Sequence, residues 1–168
     1  MAEPRRVLFV CYANYCRSPL AEAIFRHLVA ARGLGDRFEV DSAGVDAYVG
    51  RPPHPLGVAA AAQRGVLVEG AARQLVRDDF YDFDEVLVMD RLVHGQIRRL
   101  LTPSAFGPLA PTRARIRLFG EVIRPGAHGV HLDVPDPMGG GPEGFDAAFE
   151  LIRGGCERLL AEYAPREG

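Results

Sequence analysis

At 168 residues, with 48% hydrophobic and 25% charged residues, the chain has the composition of one globular domain over residues 1–168, not of a disordered or fibrous protein. A formal net charge of −2 gives no basic surface for nucleic acid, and no apolar run approaches the roughly 18 residues needed to cross a membrane. No signal-peptide pattern precedes the first strand, so we expect a cytoplasmic protein. We also expect it to act as a monomer.

The first predicted element is a buried strand that ends in a thiol. Val7–Val10 is an unbroken apolar run, typical of a parallel strand covered on both faces, and Cys11 follows it directly. Ser18 and Pro19 are typical of the N-cap and first position of a helix. A short loop with a cysteine at one end and Arg17 at the other therefore joins this strand to a helix.

Further strands and helices alternate along the rest of the chain. The predicted strands are Phe38–Val40, Val86–Met89 and Ile116–Phe119, and the predicted helices cover about 55–64, 92–101 and 145–163. Gly-rich and Pro-rich composition predicts loops at 45–55, 103–111 and 120–141. This alternation predicts an α/β fold, a parallel sheet with helices on both faces. Cys11, Ser42 and Asp90 each follow a strand, so they should gather at one edge of the sheet.

The loop from Cys11 to Arg17 is suited to binding phosphate. Its successive N–H groups can form an anion nest on the positive end of the helix, and the Arg17 fork can grip a tetrahedral dianion. The same field favours the thiolate of Cys11, which is then positioned to attack phosphorus and form a cysteinyl-phosphate. Ser18 is the candidate donor to that sulfur. Asp136, followed by the rigid Pro137, is the candidate acid that protonates the leaving oxygen and then activates water.

Five motifs resemble, in order, those of the low-molecular-weight protein tyrosine phosphatases. They are Cys11-Tyr-Ala-Asn-Tyr-Cys-Arg17-Ser18-Pro19, Asp41-Ser-Ala-Gly, Ala72-Arg-Gln-Leu, Val88-Met-Asp90 and Val134-Pro-Asp136-Pro137. The resemblance extends from about Arg6 to Leu160. It implies a single-domain four-stranded parallel sheet with helices on both sides, no metal and no other cofactor. It also implies two-step hydrolysis of a phosphotyrosine-containing protein or a small phosphomonoester, with inorganic phosphate as product.

By position, the resemblance assigns catalytic roles to four residues. Cys11 would be the nucleophile, Arg17 the phosphate clamp, Ser18 the thiolate stabiliser and Asp136 the general acid. The residues that would bind phosphate and substrate are Tyr12, Ala13, Asn14, Tyr15, Cys16, Arg17, Tyr48 and Met138.

Supporting roles fall to residues around the loop. Asn14 would hold its shape, since asparagine tolerates the left-handed conformation, and Ser42 would lie at the same edge. Asp90 would either support Arg17 or simply cap the helix that follows. For Cys16 the resemblance favours a reversible disulfide with Cys11 over a purely buried role.

Several positions depart from the family's pattern. Ala13 stands where the family usually has glycine, which would strain the loop if that position needed a positive φ. Gly70 replaces a histidine that braces the loop asparagine in many members, and Tyr48 and Met138 replace a common tryptophan and tyrosine. A phosphoarginine-specific branch has threonine at the position of Tyr15, whose bulk argues against that substrate.

Two rival functions stay open. A phosphate-binding or phosphoprotein-binding module that has lost turnover is compatible with the departures from the pattern. Arsenate reduction on the same fold would need a further redox pair of cysteines, and only Cys156 follows Cys16 in the sequence.

Overall fold

The computed structural model describes residues 2–103 and 111–165. Its centre is a four-stranded sheet in which every pairing is parallel and the strand order is β2-β1-β3-β4. The strands are β1 (Arg5–Cys11), β2 (Phe38–Gly44), β3 (Glu85–Val88) and β4 (Arg115–Leu118). The predicted α/β fold with a four-stranded parallel sheet is confirmed.

Six helices accompany the strands within the described residues. They are α1 (Arg17–Ala31), α2 (Pro55–Ala62), α3 (Asp79–Asp82), α4 (Arg91–Leu100), α5 (Phe119–Ile123) and α6 (Gly141–Tyr163). Short 3₁₀ turns occupy Gly35–Arg37 and Gly129–Leu132. None of these helices has the length and hydropathy that crossing a bilayer requires.

The alternating side chains of β1 explain its unbroken apolar run. Val7 and Phe9 belong to a core cluster shared with α1, α5 and α6, whereas Leu8 and Val10 belong to a second cluster shared with α3 and α4. All four side chains are fully buried. Helices therefore cover both faces of the sheet, and apolar residues are required at each of the four positions from Val7 to Val10.

Several predicted boundaries were wrong. Helix α1 begins at Arg17 with Cys16 as its N-cap, so Ser18 lies in the first turn and caps nothing. Phe119 begins α5 instead of ending a strand, and α6 begins at Gly141, with Pro142 in its first turn, before the predicted start. The short helix α3 was not predicted. Of the irregular segment predicted at 103–111, residues 104–110 lie outside the described part of the chain.

Candidate active site

A small cavity lies inside the loop that joins β1 to α1. Its volume is about 60 Å³, room for a group of several heavy atoms, because one water needs about 10–15 Å³. The cavity is lined by Cys11, Tyr12, Ala13, Tyr15, Cys16, Arg17, Tyr48, Asp136 and Met138. These are the predicted nucleophile, clamp and acid together with every predicted binding residue except Asn14.

Four carbonyl groups of the loop point away from this cavity. The carbonyls of Cys11, Tyr12, Ala13 and Tyr15 accept hydrogen bonds from the N–H groups of Val45, Asp46, Tyr48 and His54, at 2.9 to 3.2 Å. A trans peptide unit holds its C=O and the following N–H on opposite sides. The next N–H groups along the loop are therefore turned toward the cavity, which forms the predicted anion nest.

The start of α1 and the side chain of Arg17 add positive charge to this nest. Cys16 caps the helix with no side-chain hydrogen bond, so the N–H groups of the first turn remain available to an anion. Arg17 is 4% exposed, and its Nη1 donates to Oδ2 of Asp90 at 2.6 Å and to the carbonyl of Val134 at 2.8 Å. Within residues 2–103 and 111–165 these bonds use Nη1 alone, which leaves Nε and Nη2 for a bound anion.

A hydrogen-bond network orients the hydroxyl of Ser18 toward the sulfur of Cys11. The Oγ–Sγ distance is 2.9 Å, and Nδ2 of Asn14 donates to the same Oγ at 2.8 Å. Because that oxygen already accepts from Asn14, its own proton is free to be donated to the sulfur. Cys11 itself is 2% exposed. The site thus places a hydroxyl group against the sulfur of the predicted nucleophile.

Asn14 is buried behind the loop instead of lining the cavity. Its φ is +54°, its Nδ2 also donates to Oγ of Ser42 at 2.9 Å, and its Oδ1 accepts from the N–H of Arg73 at 2.9 Å. Within the described chain Asn14 is the one non-glycine residue with positive φ, so Ala13 carries no such strain. The main chain of Arg73 braces Asn14 although no histidine stands at Gly70.

The network continues beyond Ser42 to the partly buried carboxyl group of Glu22. Oγ of Ser42 donates to Oε1 of Glu22 at 3.1 Å, while Arg26 lies 3.5 Å from the other oxygen. Burial raises the pKa of Glu22 to about 7, with Arg26 opposing the rise and Asp41 adding to it. An unbroken path of hydrogen bonds therefore connects Glu22 to Cys11.

Asp90 has both of the contacts considered for it. Its Oδ2 accepts from Arg17, and its Oδ1 accepts from the N–H of Val93 at 2.8 Å, which caps α4. One carboxylate at the end of β3 thereby fixes the Arg17 guanidinium and begins a helix.

Asp136 lies at the exposed rim of the cavity. Its Oδ1 accepts from the N–H of Met138 at 3.0 Å. Two residues earlier, the N–H of Val134 donates to the carbonyl of Met89 at 2.8 Å, which attaches this segment to the sheet edge. Asp136 therefore lies on a segment anchored beside the loop, as an acid for a bound substrate requires.

The two cysteines of the loop differ in their surroundings. Burial, followed by the nearby Asp136 and Cys11, raises the pKa of Cys16 to about 12 although Arg17 opposes the rise. Cys16 is therefore a thiol at neutral pH, and nucleophilic chemistry is left to Cys11. Both are free thiols in the structure, so their disulfide stays a prediction.

Aromatic side chains form the rim. The rings of Tyr15 and Tyr48 are 5.5 Å apart, and the hydroxyl of Tyr12 donates to Oδ2 of Asp46 at 3.1 Å. That hydrogen bond and the charge of Asp46 raise the pKa of Tyr12, which keeps its hydroxyl neutral. The predicted wall of Tyr12, Tyr15, Tyr48 and Met138 is therefore assembled around the opening.

Four residues that support the site were given no role from the sequence. An ideal Cβ at Gly44 would lie 2.7 Å from the main chain of Asn14 and Tyr12, so the loop needs a glycine beneath it. The sequence feature that could have indicated Gly44 is its position at the end of the Asp41-Ser-Ala-Gly motif. Arg73 and Val134 act through main-chain atoms, which leave no sequence signature, and Glu22 resembled any polar helix residue.

The fold and this constellation together define a cysteine-dependent phosphatase. The chain belongs to the low molecular weight phosphotyrosine protein phosphatases, whose family model matches residues 6–166. The predicted family and enzyme class are thereby confirmed.

Similar proteins are found in distant organisms. The chain is 39% identical over 160 residues to the low molecular weight protein-tyrosine-phosphatase of Streptomyces coelicolor, covering 93% of this chain and 92% of that protein. It is 37% identical over 155 residues to the Schizosaccharomyces pombe low molecular weight phosphotyrosine protein phosphatase, covering 90% and 93%.

Two solved structures have closely similar folds. YfkJ from Bacillus subtilis matches with a TM-score of 0.77 and 35% identity over 96% of this chain and 95% of its own. A drosophila arginine phosphatase matches with a TM-score of 0.81 and 35% identity over 96% and 99%.

Proposed function

We propose that this chain hydrolyses phosphotyrosine in proteins, and small aryl phosphomonoesters, through a cysteinyl-phosphate on Cys11. The observation that carries the proposal is the 2.9 Å contact between Ser18 and Cys11 beside a cavity lined by Arg17 and Asp136. The names of the relatives support the choice of substrate, since several are called protein tyrosine phosphatases.

In the first step the phosphoryl group lies in the loop nest, held by Nε and Nη2 of Arg17. The thiolate of Cys11 attacks phosphorus while the bond from phosphorus to the aryl oxygen breaks. That oxygen takes a proton from the carboxyl group of Asp136 and leaves as a phenol. The negative charge that develops on the transferring group meets N–H donors that are already in position.

In the second step water attacks the phosphorus of the cysteinyl-phosphate. Asp136, now a carboxylate, takes a proton from that water. The sulfur of Cys11 leaves as a thiolate, stabilised by the proton that Ser18 donates. Inorganic phosphate is released, and the enzyme returns to its starting state.

The rival functions have less support. A binding module without turnover would have no need of a thiolate with its own hydroxyl donor. Arsenate reduction by a relay of cysteines would have to use Cys156, whose thiol is fully buried in the core and bonded to the carbonyl of Ala21 at 3.7 Å.

The deciding experiment is a turnover comparison of phosphotyrosine, phosphoserine and phosphoarginine peptides, together with p-nitrophenyl phosphate, without added metal. We expect phosphotyrosine to be preferred, vanadate to inhibit, and an early burst to report the covalent intermediate. Cys11→Ser is the control that should abolish turnover. Full activity in Cys11→Ser would refute the mechanism, and a preference for phosphoarginine would refute the substrate.

Asp136→Asn tests the acid separately. Its kcat/KM on phosphotyrosine, which reports formation of the cysteinyl-phosphate, should fall by about 10²–10⁴, because an aryl oxygen of high pKa needs the proton. The loss on p-nitrophenyl phosphate should be smaller, since that leaving group needs less protonation. Equal losses on both substrates would contradict the assignment.

We also propose that the protein acts in the cytoplasm as a monomer. A catalytic thiol requires a reducing compartment. This chain itself supplies the proposed nucleophile, phosphate clamp and acid, Cys11, Arg17 and Asp136, which supports a monomer.

A further inference from the structure

A larger hollow opens directly beside the catalytic cavity. It has a volume of about 500 Å³ and lies between the phosphate loop, the start of α4 and the segment that carries Asp136. Tyr12, Arg17 and Asp136 line both spaces, so the hollow adjoins the cavity. We call it the flank groove. Its other main lining residues are Leu92, Val134 and Pro135.

The flank groove offers apolar contact more than charge. Leu92 is 68% exposed at its edge although it has a large aliphatic side chain. The charged groups along it are mostly paired, since Asp90 is bonded to Arg17 and the carboxylate of Asp133 is held by Arg91 at 2.9 Å. Asp136 is the exception, since its carboxyl group is exposed and donates the proton of the proposed first step.

The size of the catalytic cavity determines where the rest of a peptide must lie. A cavity of about 60 Å³ holds the phosphate, so the ring of a phosphotyrosine must emerge between the aromatic rim residues. The neighbouring residue has its Cα only about 3.8 Å farther along the chain and must lie on that rim. On the side of Tyr48 the rim bears the guanidinium of Arg51, 5.1 Å from the tyrosine ring. The flank groove is the open apolar alternative.

We propose that the flank groove is a specificity subsite that binds an apolar side chain adjacent to the phosphotyrosine of a protein substrate, with Leu92 as its main contact. The inference rests on the proposed function and adds a sequence preference to it. An aliphatic neighbour is buried against Leu92 and Pro135, whereas an acidic neighbour would lose hydration there, because the Arg17 cation of the groove is already paired with Asp90.

The test uses two phosphotyrosine peptides that differ only in the flanking positions, which carry leucine in one and aspartate in the other. We expect wild type to favour the leucine peptide by about tenfold in kcat/KM, with the difference in KM. Leu92→Ala should reduce that ratio to about threefold or less, and Leu92→Arg should favour the aspartate peptide. Leu67→Ala is the matched control, because Leu67 is 72% exposed and lies away from both spaces.

Each outcome bears on the inference. Equal kcat/KM for the two peptides, or an unchanged ratio in Leu92→Ala, would overturn the subsite. Turnover of p-nitrophenyl phosphate in the same preparation would show that the proposed function still holds. Absence of turnover on every substrate would overturn the proposed function and the subsite with it. If Leu67→Ala lowers the leucine-to-aspartate ratio of kcat/KM as much as Leu92→Ala does, the effect is a general one of the surface, and this result would also overturn the subsite.

Discussion

The hydroxyl of Ser18 lies 2.9 Å from the sulfur of Cys11, and it is the donor whenever that sulfur is a thiolate, because a thiolate has no proton to give. Ser18→Ala should therefore lower kcat by about 10²–10³, the usual loss for one donor to a developing charge. KM should not rise, since Ser18 does not line the cavity, and it should fall with kcat where breakdown of the cysteinyl-phosphate is rate-limiting. Slower breakdown of the cysteinyl-phosphate should make the early burst more prominent in stopped-flow measurements.

Ser42→Ala is the control for this variant. It removes the other hydroxyl bonded to Nδ2 of Asn14 but does not touch the sulfur. Its loss of kcat should be clearly smaller. If both variants lose the same activity, the effect lies in the shape of the loop and not in the hydrogen bond to Cys11.

Asn14 combines a positive φ with three side-chain hydrogen bonds, and two substitutions separate these contributions. Asn14→Gly keeps the backbone conformation but leaves the N–H of Arg73 without its acceptor, which should cost about 1–3 kcal/mol of unfolding free energy. Asn14→Ala should cost about 1 kcal/mol more, because alanine is strained at φ +54°. Urea denaturation measures both. Equal stability of the two variants would contradict the predicted cost of placing alanine at a positive φ.

Gly44 is the position where the loop packs directly on the end of β2. Gly44→Ala should displace the loop, because its Cβ would lie 2.7 Å from main-chain atoms of Asn14 and Tyr12. We expect kcat/KM to fall by at least about 10², as for other displacements of a catalytic group by about 1 Å. Gly35→Ala is the control, since it has free space around it and should leave kcat/KM unchanged.

Glu22 makes the stability of the protein depend on pH. Its pKa of about 7 in the folded state exceeds the ordinary 4.5, so the folded chain retains this proton between those values while the unfolded chain has lost it. The unfolding free energy contributed by Glu22 should therefore fall as pH rises through this window, by at most about 1.4 kcal/mol per pH unit.

Glu22→Gln removes this dependence. Its stability relative to wild type should rise from about pH 5 to about pH 8, as followed by urea denaturation. Glu69→Gln, an exposed carboxylate on the same side of the molecule, is the control and should keep the wild-type slope. A parallel pH profile for wild type and Glu22→Gln would contradict the titration of Glu22 in this range.

The catalytic loop could be predicted from the sequence because its signals are local. The apolar run before Cys11, the spacing to Arg17 and the position of Asp90 after a strand each follow from side-chain types. The rest depends on main-chain atoms that any residue carries, such as the carbonyl of Val134 on Arg17 and the N–H of Arg73 on Asn14. Long-range packing, and not composition, decides where those atoms lie.

Ser18 shows that the type of a residue does not determine which group its side chain contacts. Serine before proline is a good N-cap, and this property led to the wrong helix start. In the structure the helix begins one residue before Ser18, and the hydroxyl is directed to Cys11. The prediction that Ser18 donates to the sulfur agrees with this geometry, because it came from the chemistry of the loop and not from helix rules.

Val134 limits how far the acid can travel. Its N–H donates to the carbonyl of Met89 just past β3, and its carbonyl accepts from the side chain of Arg17 at the start of α1, so both of its polar main-chain groups are held. Asp136 follows two residues later, and two residues span at most about 7 Å. The range of motion of Asp136 is therefore short, and the acid does not lie on a hinged lid. Opening such a site needs no large collective motion, so release of phosphate should not wait for one.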